Sequence, residues 1–225
     1  MEAERLSLTP QGTIPTFPDQ NKAAERLRRL EIYKRADTVM VPPDQAQLQV
    51  RINAVMDGKR LIMASPGLRD GFYLLHKSEI KARDWKDAAR SSGVRRFGKK
   101  LATTHFEIGT VDLMATGAVA VGLKGGRIGK GSGYFDLEYM ILREIGSVDE
   151  ITPICALVDD CQVLKEVPME AKDVAVDLIC TPTRIITTER PLSRPTKIPW
   201  GLLNEKYIKG MRPLRELSRN NEEKD

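Results

Sequence analysis

The chain has 225 residues, with 36 Lys and Arg against 31 Asp and Glu for a formal net charge of +5, and only 5% aromatic residues. That length supports a substantial core, as one large α/β domain or two small ones, and the basic balance suits phosphorylated or polyanionic ligands. Sparse aromatics argue against a row of base-stacking platforms; Cys155, Cys161 and Cys180 show no CxxC spacing and read as reduced thiols; and no run of eighteen apolar residues offers a membrane span.

The N-terminus has no apolar core of signal-peptide length, so a cytoplasmic protein is expected. Residues 1–20 mix Pro10, Gly12, Pro15 and Pro18 with polar side chains and predict an irregular arm. Ala23, Leu27, Leu30 and Tyr33 then recur at helical spacing, with Lys22, Arg26, Arg29 and Lys34 mostly off the stripe, which predicts one amphipathic helix. Residues 38–41 are a buried-strand candidate closed by Pro42 and Pro43, Leu48, Ile52 and Val55 mark a helix ending near Gly58, and residues 60–64 resume a strand. Strand, helix and strand at this spacing predict a βαβ unit and hence a parallel sheet with helices on its faces. Residues 72–75 add an apolar run, and residues 77–100 form a basic surface excursion.

Strands are predicted over residues 111–115 and 118–121, then a glycine-rich loop, then a helix from Tyr134 to about Glu144 stopped by Gly146. Apolar runs at 154–158, 176–180 and 184–187 complete the pattern, and beyond Thr188 the chain becomes Pro-rich, with a short helical tail carrying Leu214 and Leu217. The fold class is therefore α/β, a three-layer open and mostly parallel sheet with helices on both faces. The expected organisation is an arm over 1–20, an α/β domain over 21–188 and a Pro-rich linker with helical tail over 189–225.

The loop carries the chemistry. Six glycines fall between Gly122 and Gly133. Alternation of Gly129, Gly131 and Gly133 permits positive φ angles and lets backbone N–H groups approach phosphate oxygens with no Cβ in the way. Arg127 offers a planar fork to phosphate, Lys130 a point charge, and Asp136 a ligand for Mg²⁺, directly or through water. The alternative for each is ordinary: a structural turn, a solvated lysine, and an acid opposing the helix dipole. The spacing is neither a P-loop nor G-x-G-x-x-G. His76 and His105 are isolated, so no metal centre is expected from them.

Residues 125–136, with Pro168-Met169-Glu170 and Asp173-Val174-Ala175-Val176-Asp177, resemble the signature of the 5-formyltetrahydrofolate cyclo-ligase family, whose loop has the form G-x-R-x-G-x-G-x-G-Y-Y-D. The match fails only at the second tyrosine, which is Phe135 here. The resemblance implies a cyclo-ligase-like fold and an enzyme dependent on ATP and Mg²⁺ that closes 5-formyltetrahydrofolate to the 5,10-methenyl form through a phosphorylated formyl oxygen. It implies that Arg127, Gly129, Lys130, Gly131, Ser132, Gly133 and Tyr134 hold the nucleotide, that Arg127 and Tyr134 serve catalysis, and that Asp136 holds the metal. On the substrate side it implies Asp44 and Phe135.

The family's opening Lys-x-x-x-Arg helix has no counterpart before the first strand except Lys22 and Arg26, which lie in a later helix, and Gln47 stands where the family has threonine. Lys130-Gly131-x-Gly133-Tyr134-x-Asp136-Leu137-Glu138-Tyr139, Asp160-Cys161-Gln162-Val163, Thr181-Pro182-Thr183-Arg184 and the tail beyond Thr188 resemble instead a divergent paralogue group that includes methenyltetrahydrofolate synthetase domain-containing proteins. For that group a nucleotide-dependent role on another metabolite, linked to thiamine metabolism, is the alternative. That resemblance implies Pro66 and Arg69 in its version of the substrate site, against the alternative that Arg69 is a surface arginine. A small-molecule substrate is expected in either case. An RNA-binding module using Arg95, Arg96, Lys99 and Lys100 ranks last, because a charge run is usually a solvated face.

Overall fold

The computed structural model describes residues 12–189 and 193–222. Its strands are β1 (Thr38–Met40), β2 (Arg60–Ala64), β3 (Phe72–Leu75), β4 (Lys99–Lys100), β5 (Leu113–Gly117), β6 (Ala120–Gly122), β7 (Arg127–Ile128), β8 (Ile154–Leu157), β9 (Val163–Leu164), β10 (Leu178–Cys180) and β11 (Ile185–Thr187). The α-helices are α1 (Gln20–Arg29), α2 (Glu31–Arg35), α3 (Leu48–Met56), α4 (Trp85–Ala88), α5 (Val94–Phe97), α6 (His105–Ile108), α7 (Tyr134–Glu144), α8 (Glu205–Gly210) and α9 (Arg212–Glu222).

Eight strands form one sheet in the order β11-β10-β8-β5-β1-β2-β3-β4, and β7-β6-β9 form a second, smaller one. The five central strands of the large sheet are parallel, as the βαβ reading requires. Its margins are antiparallel. The reason is connection length: the few residues between β2 and β3, or between β10 and β11, are too short for a crossover and leave only a hairpin. The sheet ends at β4, where Lys99 and Lys100 are exposed and blunt an edge that would otherwise invite pairing.

Alternation along the strands sorts side chains to the two faces. Val39, Leu61, Met63, Leu113, Cys155 and Cys180 join Ala23, Leu27, Val50 and Val55 of α1 and α3 in one cluster. Met40, Ile62, Met114, Ile154, Ala156 and Ile179 join Tyr139, Ile141 and Leu142 of α7 in the other. The three-layer α/β architecture follows directly. Leu214 and Leu217 of α9 also enter the α7 cluster, and Ile14 and Phe17 enter the α1 cluster, so residues on both flanks of 21–188 contribute to the core.

Two local expectations change. The single helix through Lys34 is two, because Leu30 is extended at φ −72° and ψ 145°. The strand expected over 111–115 runs over Leu113–Gly117, and the next leaves the large sheet for the small one. In the basic segment, Arg95 bonds Asp70 at 2.7 Å, Lys99 and Lys100 lie 3.9 and 4.0 Å from Glu107 and Asp70, and Arg96 sits 4.8 Å over the Phe97 ring. Of these four cations only Arg95 has a close acidic partner; the others stand at the surface, as a basic excursion requires.

Candidate active site

The glycine loop does not spring from the main sheet. It begins as the β6–β7 hairpin, in which Gly125 has φ +87° and a Cβ there would lie 2.5 Å from the Val176 carbonyl oxygen. The Val176 N–H in turn donates to the Gly125 carbonyl at 2.9 Å, which fastens the hairpin to residues 173–177. Asp177 continues that anchoring: its carboxylate accepts the Ile154 N–H at 2.8 Å and Arg194 Nη2 at 2.5 Å. The second sequence motif is therefore largely scaffold for the first.

Arg127 and Asp136 meet. Arg127 Nη2 donates to Asp136 Oδ1 at 2.5 Å, the same oxygen accepts the Val174 N–H at 2.9 Å, and the guanidinium lies 4.8 Å over the Phe135 ring. The Arg127 side chain is 3% exposed and that of Asp136 13%. Both expected ligand-binding groups are thus engaged with each other, and Phe135 fills the space beneath the guanidinium. Gly129 is not at positive φ; a Cβ there would lie 2.9 Å from Arg127 Nη1 and would require the guanidinium to shift. Gly131 and Gly133 have φ +86° and +64°, with open space where a Cβ would project.

Lys130 reaches across to Asp44, Nζ to Oδ1 at 2.5 Å, and so joins the loop to the segment after β1. That segment is held from below by Arg51, which is fully buried and donates to the carbonyl oxygens of Pro42, Asp44 and Ala89 at 2.5, 2.8 and 2.7 Å. Tyr134 stands against the loop after β2, where a Cβ on Gly67 would lie 3.5 Å from its hydroxyl. Arg69 is exposed, lies outside the cavity lining, and among the described residues bonds through its backbone carbonyl, which accepts the Arg212 N–H.

The loop separates two concavities. One, of about 230 Å³, is walled by Ile14, Asp44, Pro66, Thr116, Tyr134 and Glu138 among others. The other, of about 510 Å³, opens toward Pro168, Met169, Glu170, Lys172 and Asp173. Arg127, Gly129, Ser132, Gly133 and Asp136 line both. The loop is a partition with a chamber on either side.

Several buried polar atoms at this partition have no hydrogen-bond partner among the described residues: Arg127 Nε, Ser132 Oγ and Glu138 Oε2, with both amide atoms of Gln47 close behind Gly117. Native interiors rarely leave such atoms unpaired. Ser132 Oγ, together with the open glycines and the uncapped first turn of α7, fits the phosphate chain of a nucleotide, whereas the Glu138 carboxyl is an acceptor and calls for a donor instead. The donors for Mg²⁺ are a different matter. Asp136 takes both of its bonds, from Arg127 and Val174, on Oδ1, which leaves Oδ2 without a partner among the described residues, and no group of three or more metal-ligating side chains forms among them.

Ile14 and Glu138 were not anticipated as site residues. Ile14 carries no polar signal, but Glu138 does, as an acid within the apolar run 137–142. Glu138 is 3% exposed. Burial, and then the Asp44 carboxylate, push its pKa well above the ordinary glutamate value, against the opposing pull of Lys130. A carboxyl whose folded pKa is raised contributes its full stability below the unfolded value and loses it as pH rises through the folded value. Glu138→Gln removes that loss, so the variant is expected to melt above the parent protein at pH 8, with the gap closing toward pH 4. Thermal melts across that range check it; a gap independent of pH counts against the burial argument.

Comparison with known proteins gives consistent results. The family model described as the 5-formyltetrahydrofolate cyclo-ligase family matches residues 1–182. A methenyltetrahydrofolate synthase domain-containing protein of Bos taurus is 38% identical over 234 residues, covering 99% of this chain and 60% of the relative. Its Homo sapiens counterpart is 34% identical over 226 residues, covering 96% of this chain and 58% of the relative. The chain thus spans about 60% of the length of these curated relatives. The solved 5,10-methenyltetrahydrofolate synthetase of Aquifex aeolicus superposes with a TM-score of 0.51 at 18% identity, over 86% of this chain and 91% of that one, a likeness of fold.

Proposed function

Because the chain belongs to the 5-formyltetrahydrofolate cyclo-ligase family, we propose that it is an ATP-dependent ligase that closes 5-formyltetrahydrofolate, or a closely related reduced folate, to the 5,10-methenyl form. The observation that carries this reading is the two-chambered site. A reaction that moves a phosphoryl group onto an acyl oxygen needs a nucleotide and an acyl substrate to meet end to end, and the loop of residues 129–133 has a chamber on each side. ATP, when bound, supplies the phosphoryl group that turns the formyl oxygen into a leaving group.

The chain's own residues have separable tasks. Backbone N–H groups at Gly131 and Gly133, with Ser132 Oγ, hold phosphate oxygens. Lys130, 24% exposed, provides the mobile positive charge and swings from Asp44 to the phosphates. Arg127 and Asp136 keep the loop in shape from beneath. Ile14, Pro66 and Tyr134 enclose the smaller chamber and exclude water from the activated carbon. Asp136 Oδ2, which neither Arg127 nor Val174 engages, would hold Mg²⁺ directly or through water, with phosphate oxygens completing the shell, and the ion would offset charge on the transferring phosphoryl group.

Incubation with ATP, Mg²⁺ and 5-formyltetrahydrofolate, followed by methenyl absorbance, tests the reading. Lys130→Ala is expected to lower turnover about 100-fold, with little change in melting temperature because its ion pair with Asp44 is part-exposed. Absence of product at high enzyme concentration sinks the folate assignment. A second reading, a paralogue that binds nucleotide and acts on another substrate, is favoured by Phe135, whose ring faces Arg127 without the family's hydroxyl. It predicts ATP binding without folate turnover.

A further inference from the structure

The smaller chamber contains an imbalance. Its charged lining residues are Asp44, Arg127, Lys130, Asp136 and Glu138. Asp44 pairs with Lys130, and Asp136 with Arg127, both at 2.5 Å. Glu138 is left over: 3% exposed, with Oε2 lacking any partner among the described residues. It also lies beyond the glycine motif, which ends at Asp136, so neither the loop's shape nor its scaffold requires an acid there.

A buried carboxyl without a donor is costly unless something brings one. In the lining of the same chamber, Arg127 Nε is a donor without an acceptor among the described residues. A simple alkylammonium satisfies the carboxyl and leaves Arg127 Nε orphaned. A ring edge that presents N–H donors next to an acceptor satisfies both. Pro42, Pro43, Pro66, Tyr134 and Phe135 supply flat, apolar walls for such a ring.

We propose that Glu138 is the specificity-determining residue of this chamber, receiving the amidine-type N–C–NH₂ edge of a flat nitrogen heterocycle whose neighbouring acceptor meets Arg127 Nε. The 2-amino-4-oxo edge has this chemistry whether the ring is fused, as in a pteridine, or single, as in a pyrimidine. The inference rests on the reading of this chamber as the substrate side of the site.

Calorimetric binding to the full chain separates the cases with two matched pairs: pterin against lumazine, and isocytosine against uracil, the second member of each carrying an oxo group in place of the 2-amino group. The wild-type protein is expected to bind the amino member about tenfold more tightly in at least one pair, and the pair that shows the preference identifies the fused or the single ring. Glu138→Gln, folded by its melting curve, is expected to lose the preference, because its amide presents N–H where the carboxyl accepted; Glu138→Asp is expected to retain part of it. Equal affinities within both pairs, no binding by any of the four, or a preference that survives in Glu138→Gln overturns the assignment. Preference without turnover of 5-formyltetrahydrofolate overturns the cyclo-ligase reading and leaves Glu138 in place; turnover without preference does the reverse.

Discussion

Arg127→Ala is expected to lower the melting temperature by about 10 °C, and any loss of nucleotide binding in that variant is mainly a loss of structure. Removing the guanidinium leaves Asp136 buried with only the Val174 N–H, takes the cation from the face of Phe135, and opens space beneath Gly129. Breaking a buried ion pair from one side costs about 3–5 kcal/mol, and each kcal/mol is worth roughly 2–4 °C in a chain of this size. Removing both charges is expected to cost less than removing one. Arg127→Met combined with Asp136→Asn keeps an acceptor for Val174 and leaves no bare carboxylate, so the double variant is expected to recover more than half of the loss. Thermal melts of the two single variants and the double variant decide it. If Arg127→Ala melts within about 2 °C of the parent, the pair is not structural, and Arg127 returns as a direct phosphate ligand.

How much of this was legible in the sequence depended on the kind of signal. The βαβ unit from β1 through α3 to β2 was readable because apolar runs of strand length are separated by a helical repeat, and the packing confirms that order. The switch of β6 to a second sheet was not, because Ala118, Val119, Ala120 and Val121 have the same apolar pattern in either sheet, and pairing with β7 and β9 is a tertiary choice. Within the site, glycines announced the loop but not the surroundings of each one: Gly131 and Gly133 are needed for φ, whereas a Cβ at Gly129 would crowd a guanidinium. Arg127 and Asp136 are nine positions apart, and no local rule tells that a loop brings them into contact. Arg194 was invisible for a similar reason. It lies in the Pro-rich stretch beyond Thr188, yet its side chain is 1% exposed and donates to Ala175, Glu150 and Thr152 carbonyls.

Arg51 is the other buried cation whose loss is expected to be severe, and it separates architecture from chemistry most cleanly. Its guanidinium holds three carbonyl oxygens from two segments, those of Pro42 and Asp44 after β1 and that of Ala89 after α4. Burial lowers its pKa to about 10, which still leaves it charged at neutral pH. Arg51→Leu fills much of the volume but orphans all three acceptors, at about 1–3 kcal/mol each before relaxation, so a fall of 10 °C or more in melting temperature is expected. Arg51→Lys is expected to rescue little, since one ammonium cannot reproduce a planar fork that spans both segments. The consequence for function runs through Asp44. With its backbone released, Asp44 no longer meets Lys130 at the chamber mouth, so turnover measured well below the variant's own melting point is expected to fall as well. The two causes are distinguishable by temperature. A deficit caused by unfolded chains vanishes on cooling, whereas one caused by a misplaced Asp44 and Lys130 persists in the folded fraction. Full turnover by cold, folded Arg51→Leu means that the carbonyl clamp stabilises the fold without positioning the site.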